Sequence, residues 1–313
     1  MKIVLLFSGQ GAQYPGMLKD VIETYSEARR LFDEASSILE RDIYHLTMDA
    51  AQEELNETLN TQPAMLVCEL ALLRVLKNSG LSYDAAAGFS LGEWAAVVAA
   101  GCISESDAIR MIGKRAQAMQ DAVPVGRGAM AFMLGQSDEF VEEFCRSIGD
   151  VAPANYNGYG NVSVAGTAEA IQCFLKKAEK EKLVAGLIPV SIPSHSPLMQ
   201  SAAEQLFPLI QAMGIQTPET ELFMNATGAI AEEPEQIKKN LIQQLVQPVK
   251  FRHITQQLLE EGYDTFIEVG PGETLTKMVK RTAKRNKKPV TALAVCNMSA
   301  IQKLQDLIQT ERT

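Results

Sequence analysis

The chain of 313 residues has few of the features that would assign it to several large protein classes. Its five cysteines are scattered without a C-x-x-C pair, which argues against a disulfide framework or a zinc site and favours reduced thiols. Lysine and arginine number 29 against 38 acidic residues, and the net charge of −9 argues against general nucleic-acid binding. Neither G-x-G-x-x-G nor G-x-x-x-x-G-K-[ST] occurs, so a loop that binds nucleotide phosphates is disfavoured.

Long apolar runs are also scarce, and we expect no segment that crosses a bilayer. The apolar stretch Ile3–Phe7 is shorter than the hydrophobic region of a signal peptide and leads directly into a glycine-containing turn, so it predicts a buried first strand. A composition of 46% hydrophobic and 21% charged residues is ordinary for a globular enzyme. Together these features predict a cytoplasmic protein that does not associate with membranes.

The order of apolar patterns predicts an α/β fold. Runs at 3–7, 85–89 and 264–270 indicate parallel strands, and helical periodicity covers 27–40 and 63–80. Such alternation is typical of a mostly parallel sheet with helices on both faces. The stretch 127–191 instead indicates strand, helix, two strands, helix and strand, which is the ferredoxin-like order. We therefore predict a core formed by 1–126 and 192–313, with a ferredoxin-like subdomain at 127–191 inserted into it.

The segment GFSLGEWAAVVAAG, residues 88–101, contains the pattern G-x-S-x-G around Ser90. This pattern is typical of a nucleophile elbow, in which a strand ends, the chain turns sharply at the serine and a helix begins. Gly88 and Gly92 relieve the crowding that side chains would cause in such a turn. Because the pattern also occurs by chance in glycine-containing loops, a base, an oxyanion hole and a pocket are needed to support catalysis.

The base for a serine nucleophile is best supplied by histidine, and the chain has three: His45, His195 and His253. His195 follows a predicted strand, in a loop that Pro193 and Pro197 stiffen, so its ring is the best constrained of the three. His45 and His253 lie in helical or surface contexts. An oxyanion hole requires backbone donors, and at an elbow the residue after the nucleophile, here Leu91, supplies one of them.

A second donor is expected from a loop that follows a neighbouring strand. The loop at 7–17 follows the first predicted strand, and Gln10 lies in it between Gly9 and Gly11, which allow close approach of the backbone. An arginine on a helix, such as Arg115, is by itself most often a solvated surface residue.

Eight short segments, taken together and in this order, resemble the malonyl-CoA:acyl carrier protein transacylases of fatty-acid synthesis, and the acyltransferases of polyketide synthases share the same set. Each segment alone is weak, but their order over almost the whole chain is specific. The segments are FSGQGAQYPGM, TQPAML, GFSLGEW, KRAQAMQDAVP, GAMAFMLG, IPSHSPLM, QLVQPVKF and IEVGPGETLTKMVKR.

The resemblance implies an α/β-hydrolase-like core with a ferredoxin-like subdomain, and a malonyl group that passes from malonyl-CoA through a serine ester to acyl carrier protein. It implies no metal and no redox cofactor, and we expect the chain to act as a monomer. At matching positions it assigns Ser90 as nucleophile, His195 as base, Gln10 and Leu91 as the oxyanion hole, Arg115 as the partner of the substrate carboxylate, Gln62 and Phe89 as pocket residues, and the backbone carbonyl of Gln244 as the group that orients the histidine.

The chain departs from the family pattern at three positions. Phe89 stands where the family usually has histidine, and Asn161 stands where it often has glutamine. Ser194 stands where some malonyl-selective relatives have phenylalanine, so branched malonyl units remain candidate substrates beside malonyl itself.

A basic run at 277–288 has two interpretations, a solvated helix face or a docking surface for acidic carrier protein. Two further functions stay open: an acyl-thioester hydrolase on the same scaffold, and a carrier-binding module without catalysis. Within the transferase interpretation, both fatty-acid and polyketide synthesis remain possible pathways. The docking interpretation involves Lys277, Lys280, Arg281, Lys284 and Arg285.

Overall fold

The computed structural model describes residues 1–124, 126–190 and 192–312. Its strands are β1 (Ile3–Phe7), β2 (Ala85–Gly88), β3 (Gly128–Leu134), β4 (Val151–Gly158), β5 (Asn161–Thr167), β6 (Val184–Ile188), β7 (Glu221–Met224), β8 (Ala229–Ile230), β9 (Thr265–Val269) and β10 (Thr291–Val295).

The helices cover most of the remaining chain. They are α1 (Lys19–Thr24), α2 (Ser26–Leu39), α3 (Ile43–Met48), α4 (Gln52–Leu55), α5 (Thr58–Asn78), α6 (Glu93–Ala99), α7 (Glu105–Ala122), α8 (Asp138–Arg146), α9 (Ala168–Lys180), α10 (Gln200–Gln211), α11 (Pro234–Val246), α12 (Phe251–Glu260), α13 (Thr274–Arg285) and α14 (Met298–Arg312).

The larger sheet has six strands in the order β10-β9-β1-β2-β7-β8, and all its pairings are parallel except that of β7 with β8. Every residue of β1, β2 and β9 is buried, because helices cover both faces of the sheet. The predicted α/β class and the three predicted strands are confirmed. The sheet also contains β7, β8 and β10, which the apolar patterns did not indicate, since these strands are short or partly exposed.

The smaller sheet is antiparallel, with the order β4-β5-β3-β6, and α8 and α9 connect its strands. This is the ferredoxin-like arrangement that the pattern predicted. Its division from the core at 127 and 191 stays a prediction, and Ser191 lies outside the described residues. Two backbone hydrogen bonds join the smaller sheet to the core, from Tyr156 N to Val249 O at 2.8 Å and from Val249 N to Ala154 O at 2.9 Å.

Helix α5 is the longest helix among the described residues, and it is strongly apolar. It has 21 residues, and its most apolar window of 18 residues has a mean hydropathy of 1.2, which by length and composition alone would suit a membrane span. Polar residues such as Glu69 and Gln62 interrupt its apolar pattern, which is why it did not stand out as a run. Of its most apolar window, 89% is buried inside the protein, so α5 is a core helix that packs against α2 and α7.

Candidate active site

The turn at Ser90 has the geometry of a nucleophile elbow. Strand β2 ends at Gly88, and Ser90 has a φ of 54° where the 3-10 turn that leads into α6 begins. A Cβ on Gly88 would lie 2.1 Å from the backbone of Gly92, and a Cβ on Gly92 would lie 2.3 Å from the carbonyl oxygen of Phe7. Only glycine fits at both positions, and the tight turn holds the strained serine backbone in place.

His195 lies beside this serine and is 3% exposed. Its Nε2 is 2.7 Å from Ser90 Oγ, and its Nδ1 is 2.6 Å from the backbone oxygen of Gln244. A carbonyl oxygen can only accept, so Nδ1 carries the hydrogen and donates it to Gln244. Nε2 is therefore the free acceptor that faces the serine hydroxyl, as a general base requires.

Neither of the other two histidines approaches Ser90. His45 is exposed on α3, with its Nδ1 3.1 Å from Asp49 Oδ2. His253 lies on α12, where it is half-buried and packs edge-on against Tyr156.

Burial lowers the pKa of His195 to about 4; the carbonyl of Gln244 opposes this shift and the nearby Arg115 adds to it. A depressed pKa keeps the ring neutral, and able to accept a proton, down to acidic pH.

This shift makes a prediction about pH. The kcat/KM for acylation of Ser90, measured by single-turnover kinetics, should stay level as the pH falls through 6.5, the ordinary pKa of histidine, and should decline only near pH 4. A decline centred near 6.5 would contradict the buried, neutral state of His195.

Arg115 reaches the same point from α7 and is 2% exposed. Its Nη1 donates to Gln62 Oε1 at 2.5 Å, and its Nη2 donates to Gln244 Oε1 at 2.8 Å and to Ser90 Oγ at 3.3 Å. Burial lowers its pKa to about 10, against the opposing charge of Glu93, so the guanidinium stays protonated at neutral pH. A buried, oriented positive charge next to a nucleophile is suited to a substrate that carries a carboxylate.

A cavity of about 100 Å³ opens at Ser90, and the predicted oxyanion residues Gln10 and Leu91 both line it. The side-chain Oε1 of Gln10 accepts a hydrogen bond from Thr58 Oγ1 at 3.2 Å, which holds the loop against α5. Phe89 lines the same cavity, and its ring packs edge-on against Phe251 at 5.5 Å. Other lining residues are Met119, Met130, Asn155, Ile188, Val190, Ile192 and Ser194.

The sequence reasoning missed two residues that hold the elbow. Asn225, directly after β7, accepts from Ser90 N at 2.7 Å and donates to Gly88 O at 2.7 Å. Glu93, the first residue of α6, is fully buried and accepts hydrogen bonds from the Asn225 backbone and from Gln244. Its only signal in the sequence is a charge directly before the apolar stretch 94–100.

The basic run forms much of α13, which does not touch Ser90. Lys277 pairs with Glu273 at 2.6 Å, and Lys280 is exposed. Three more cations of the run, together with Tyr159 and Met278, line a cavity of about 460 Å³ between α13 and the smaller sheet. These cations are Arg281, Lys284 and Arg285.

A second cavity, of about 150 Å³, lies beside the loop that contains Gln10. Met278 lines both of these cavities, and Gln10 and Phe89 line both the second cavity and the one at Ser90. The second cavity is thus a neighbour of both the cavity at α13 and the cavity at Ser90.

Comparison with known proteins gives consistent results. The model of the acyl transferase domain matches residues 4–308. The malonyl CoA-acyl carrier protein transacylase of Bacillus subtilis is 39% identical over 292 residues, which cover 91% of this chain and 92% of the relative. That of Escherichia coli K12 is 36% identical over 287 residues, which cover 90% of this chain and 92% of the relative.

Solved structures of such enzymes superpose over nearly the whole chain. The malonyl CoA-acyl carrier protein transacylase from Clostridium perfringens has a TM-score of 0.93 at 33% identity and covers 99% of this chain and 98% of its own. A malonyl-transacylase in complex with the acyl carrier protein of a type II polyketide synthase has a TM-score of 0.92 at 33% identity, covering 96% and 97% of the two chains.

Proposed function

Since this chain belongs to the acyl transferase family, we propose that it transfers a malonyl group from malonyl-CoA to the phosphopantetheine thiol of acyl carrier protein. One observation carries the choice of malonyl: the guanidinium of Arg115, buried and positively charged, lies 3.3 Å from Ser90 Oγ. A malonyl group on the serine would place its free carboxylate next to this charge. A bidentate pair of that kind fixes orientation as well as affinity.

In the first half-reaction Ser90 Oγ attacks the thioester carbonyl carbon while its proton passes to His195 Nε2. The negative charge that develops on the carbonyl oxygen is stabilised by the backbone N–H groups of Gln10 and Leu91. The intermediate collapses with cleavage of the carbon–sulfur bond, and the coenzyme A sulfur leaves as the thiol after taking the proton from His195. A malonyl ester remains on Ser90.

In the second half-reaction the carrier's thiol loses its proton to His195, and its sulfur attacks the ester carbonyl. The carbon–oxygen bond to Ser90 breaks, and the serine oxygen recovers the proton from His195. Neither half-reaction, as proposed, uses a metal or a redox cofactor. The nucleophile, base and guanidinium all come from one chain, so we propose that the enzyme acts as a monomer. We also propose that it is located in the cytoplasm.

Steady-state kinetics with malonyl-CoA and holo-acyl carrier protein test this function. A double-displacement reaction gives parallel double-reciprocal lines when one substrate is varied at several concentrations of the other. Release of free malonate at a rate that rivals transfer would instead support the hydrolase. Holo-carrier proteins of fatty-acid and polyketide synthesis, compared by their kcat/KM values, distinguish the two pathways.

We also propose that the basic face of α13 docks acidic carrier protein, because three of its cations line a cavity that shares Met278 with the cavity beside the Gln10 loop. Reversing the charge of Lys280 and Lys284 to glutamate should raise the KM for carrier protein several-fold and flatten its dependence on salt. Acylation by malonyl-CoA should change little.

The matched control reverses Lys176 and Lys180, two exposed lysines on α9, and so changes the net charge equally. Equal damage to both half-reactions in the α13 variant would mean that the run supports folding and not docking. The same KM increase in the α9 variant would reduce the effect to net charge.

A further inference from the structure

Glu93 is a fully buried carboxylate that the transfer chemistry does not use. Its Oε2 accepts from Gln244 Nε2 at 2.6 Å, and its Oε1 accepts from the backbone N–H of Asn225 at 2.5 Å. Burial raises its pKa above the ordinary range of a glutamate; the Asn225 and Gln244 hydrogen bonds and the charge of Arg115 oppose this shift and favour the ionised form. Burying a carboxylate is costly unless hydrogen bonds compensate for the lost water, and for Glu93 the Asn225 backbone and the Gln244 amide supply them.

Gln244 is the centre of the site, because its side-chain amide and its backbone carbonyl serve different catalytic groups. The amide oxygen accepts from Arg115 Nη2 at 2.8 Å, while the amide nitrogen donates to Ser90 O at 2.8 Å and to Glu93. Both amide hydrogens are therefore used. The backbone carbonyl accepts from His195 Nδ1.

Both oxygens of Glu93 face N–H donors, from Asn225 and Gln244, as the oxygens of an ionised carboxylate do, so Glu93 permits one orientation of the Gln244 amide. If the amide turned over, its oxygen would face the carboxylate and its NH₂ group would face the guanidinium of Arg115. Both of these contacts are repulsive, and the guanidinium would lose one of its acceptors.

We propose that Glu93 is a positioning residue for recognition of the substrate carboxylate, because it holds the Gln244 amide with Oε1 towards Arg115. The guanidinium then stays aimed at the space beside Ser90 Oγ. This inference rests on the proposed function, in which Arg115 is the partner of the malonyl carboxylate.

Glu93→Gln tests the inference with almost no change in side-chain size. The backbone N–H of Asn225 still requires an acceptor, so the new amide oxygen faces Asn225 and the new NH₂ group faces Gln244. The Gln244 amide must then turn or lose its hydrogen bond. The elbow contact through Asn225 is kept, which separates orientation of Arg115 from general damage to the turn.

We expect the kcat/KM of Ser90 acylation to fall roughly 10- to 100-fold for malonyl-CoA, the loss of one hydrogen bond to a charged group, and only slightly for acetyl-CoA. In the Arg115→Ala background Glu93→Gln should not change the malonyl-to-acetyl ratio further. Gln244→Met removes the amide oxygen that accepts from Arg115, so it should reproduce the malonyl-specific loss. This variant tests the inference even if Glu93→Gln does not fold.

A pH profile adds a readout that a purely structural role would not move. The titratable groups that face Arg115 are Glu93 from α6 and His195. The His195 ring is neutral above about pH 4, and Glu93 raises the pKa of the guanidinium, which burial lowers to about 10. Removing that negative charge lowers the pKa of Arg115 further. The decline of malonyl acylation at alkaline pH should therefore begin at a lower pH in Glu93→Gln than in the wild type. Acetyl acylation should show no such shift.

Glu69→Gln is the matched control, since Glu69 is equally buried, lies on α5 and forms no hydrogen bond with Arg115 or Gln244 among the described residues. Its malonyl-to-acetyl ratio should equal that of the wild type. If Glu93→Gln slows both donors equally or neither, Glu93 does not position Arg115. If Arg115→Ala itself fails to separate the donors, the fault lies with the proposed function and not with Glu93 alone.

Discussion

Replacing Ser90 by alanine should reduce malonyl transfer by roughly 10⁴- to 10⁶-fold, the effect seen when the nucleophile of a serine hydrolase is removed. The reason is that in the proposed reaction the hydroxyl oxygen, 2.7 Å from His195 Nε2, forms the malonyl ester in the first half-reaction and is released from it in the second. The variant should also lose the covalent malonyl ester that malonyl-CoA alone leaves on the wild-type protein. Peptide mass mapping after brief incubation measures that ester.

Ser194→Ala is the matched control for this experiment. Ser194 lines the same cavity, but among the described residues its hydroxyl has no hydrogen bond to His195. Its variant should keep the ester on Ser90. Label that persists at another residue in Ser90→Ala would overturn the assignment of the nucleophile.

Replacing Arg115 by alanine should invert the preference between malonyl-CoA and acetyl-CoA. Without the guanidinium the malonyl carboxylate is buried unpaired, which typically costs ~2–5 kcal/mol, or roughly 30- to 5,000-fold in kcat/KM. Acetyl-CoA has no carboxylate to pair with the guanidinium, so its acylation should change little or rise when Arg115 is removed. The measurement is acylation of Ser90 by each thioester at fixed ionic strength.

Arg115→Lys should restore only part of the preference, since an ammonium cannot reproduce the planar fork that also bonds Gln62 and Gln244. If both thioesters slow by the same factor in Arg115→Ala, the residue does not recognise a carboxylate. The choice of malonyl would then depend on similarity to relatives alone.

Local patterns in the sequence were sufficient to locate the elbow and the strands of highest burial. Gly88, Ser90 and Gly92 lie within one turn, and β1 and β9 are short apolar runs whose two faces are both covered. The context of His195 singled it out among three histidines before its contact with Ser90 was known. For Arg115, by contrast, the helical pattern favoured a surface position, and only the family resemblance placed it in the site.

Contacts between segments that are distant in the sequence could not be predicted from local patterns. Asn225 bonds Ser90 across 135 positions of the chain, and Gln244 bonds Glu93 across 151. No local pattern predicts which polar side chains will meet once the sheet has assembled. Strand β10 at the sheet edge was missed for a related reason, because its partly exposed residues lack the continuous burial that marks a central strand.

The central claim is that Ser90 carries the malonyl group between the two thiols, and a chase of the isolated acyl-enzyme tests it most directly. The protein is loaded with radiolabelled malonyl-CoA, freed of coenzyme A, and then mixed with holo-acyl carrier protein. The account predicts that label leaves Ser90 and appears in equal amount on the carrier's thiol. Label that leaves only as free malonate, or that reaches the carrier only while malonyl-CoA is still present, would contradict it.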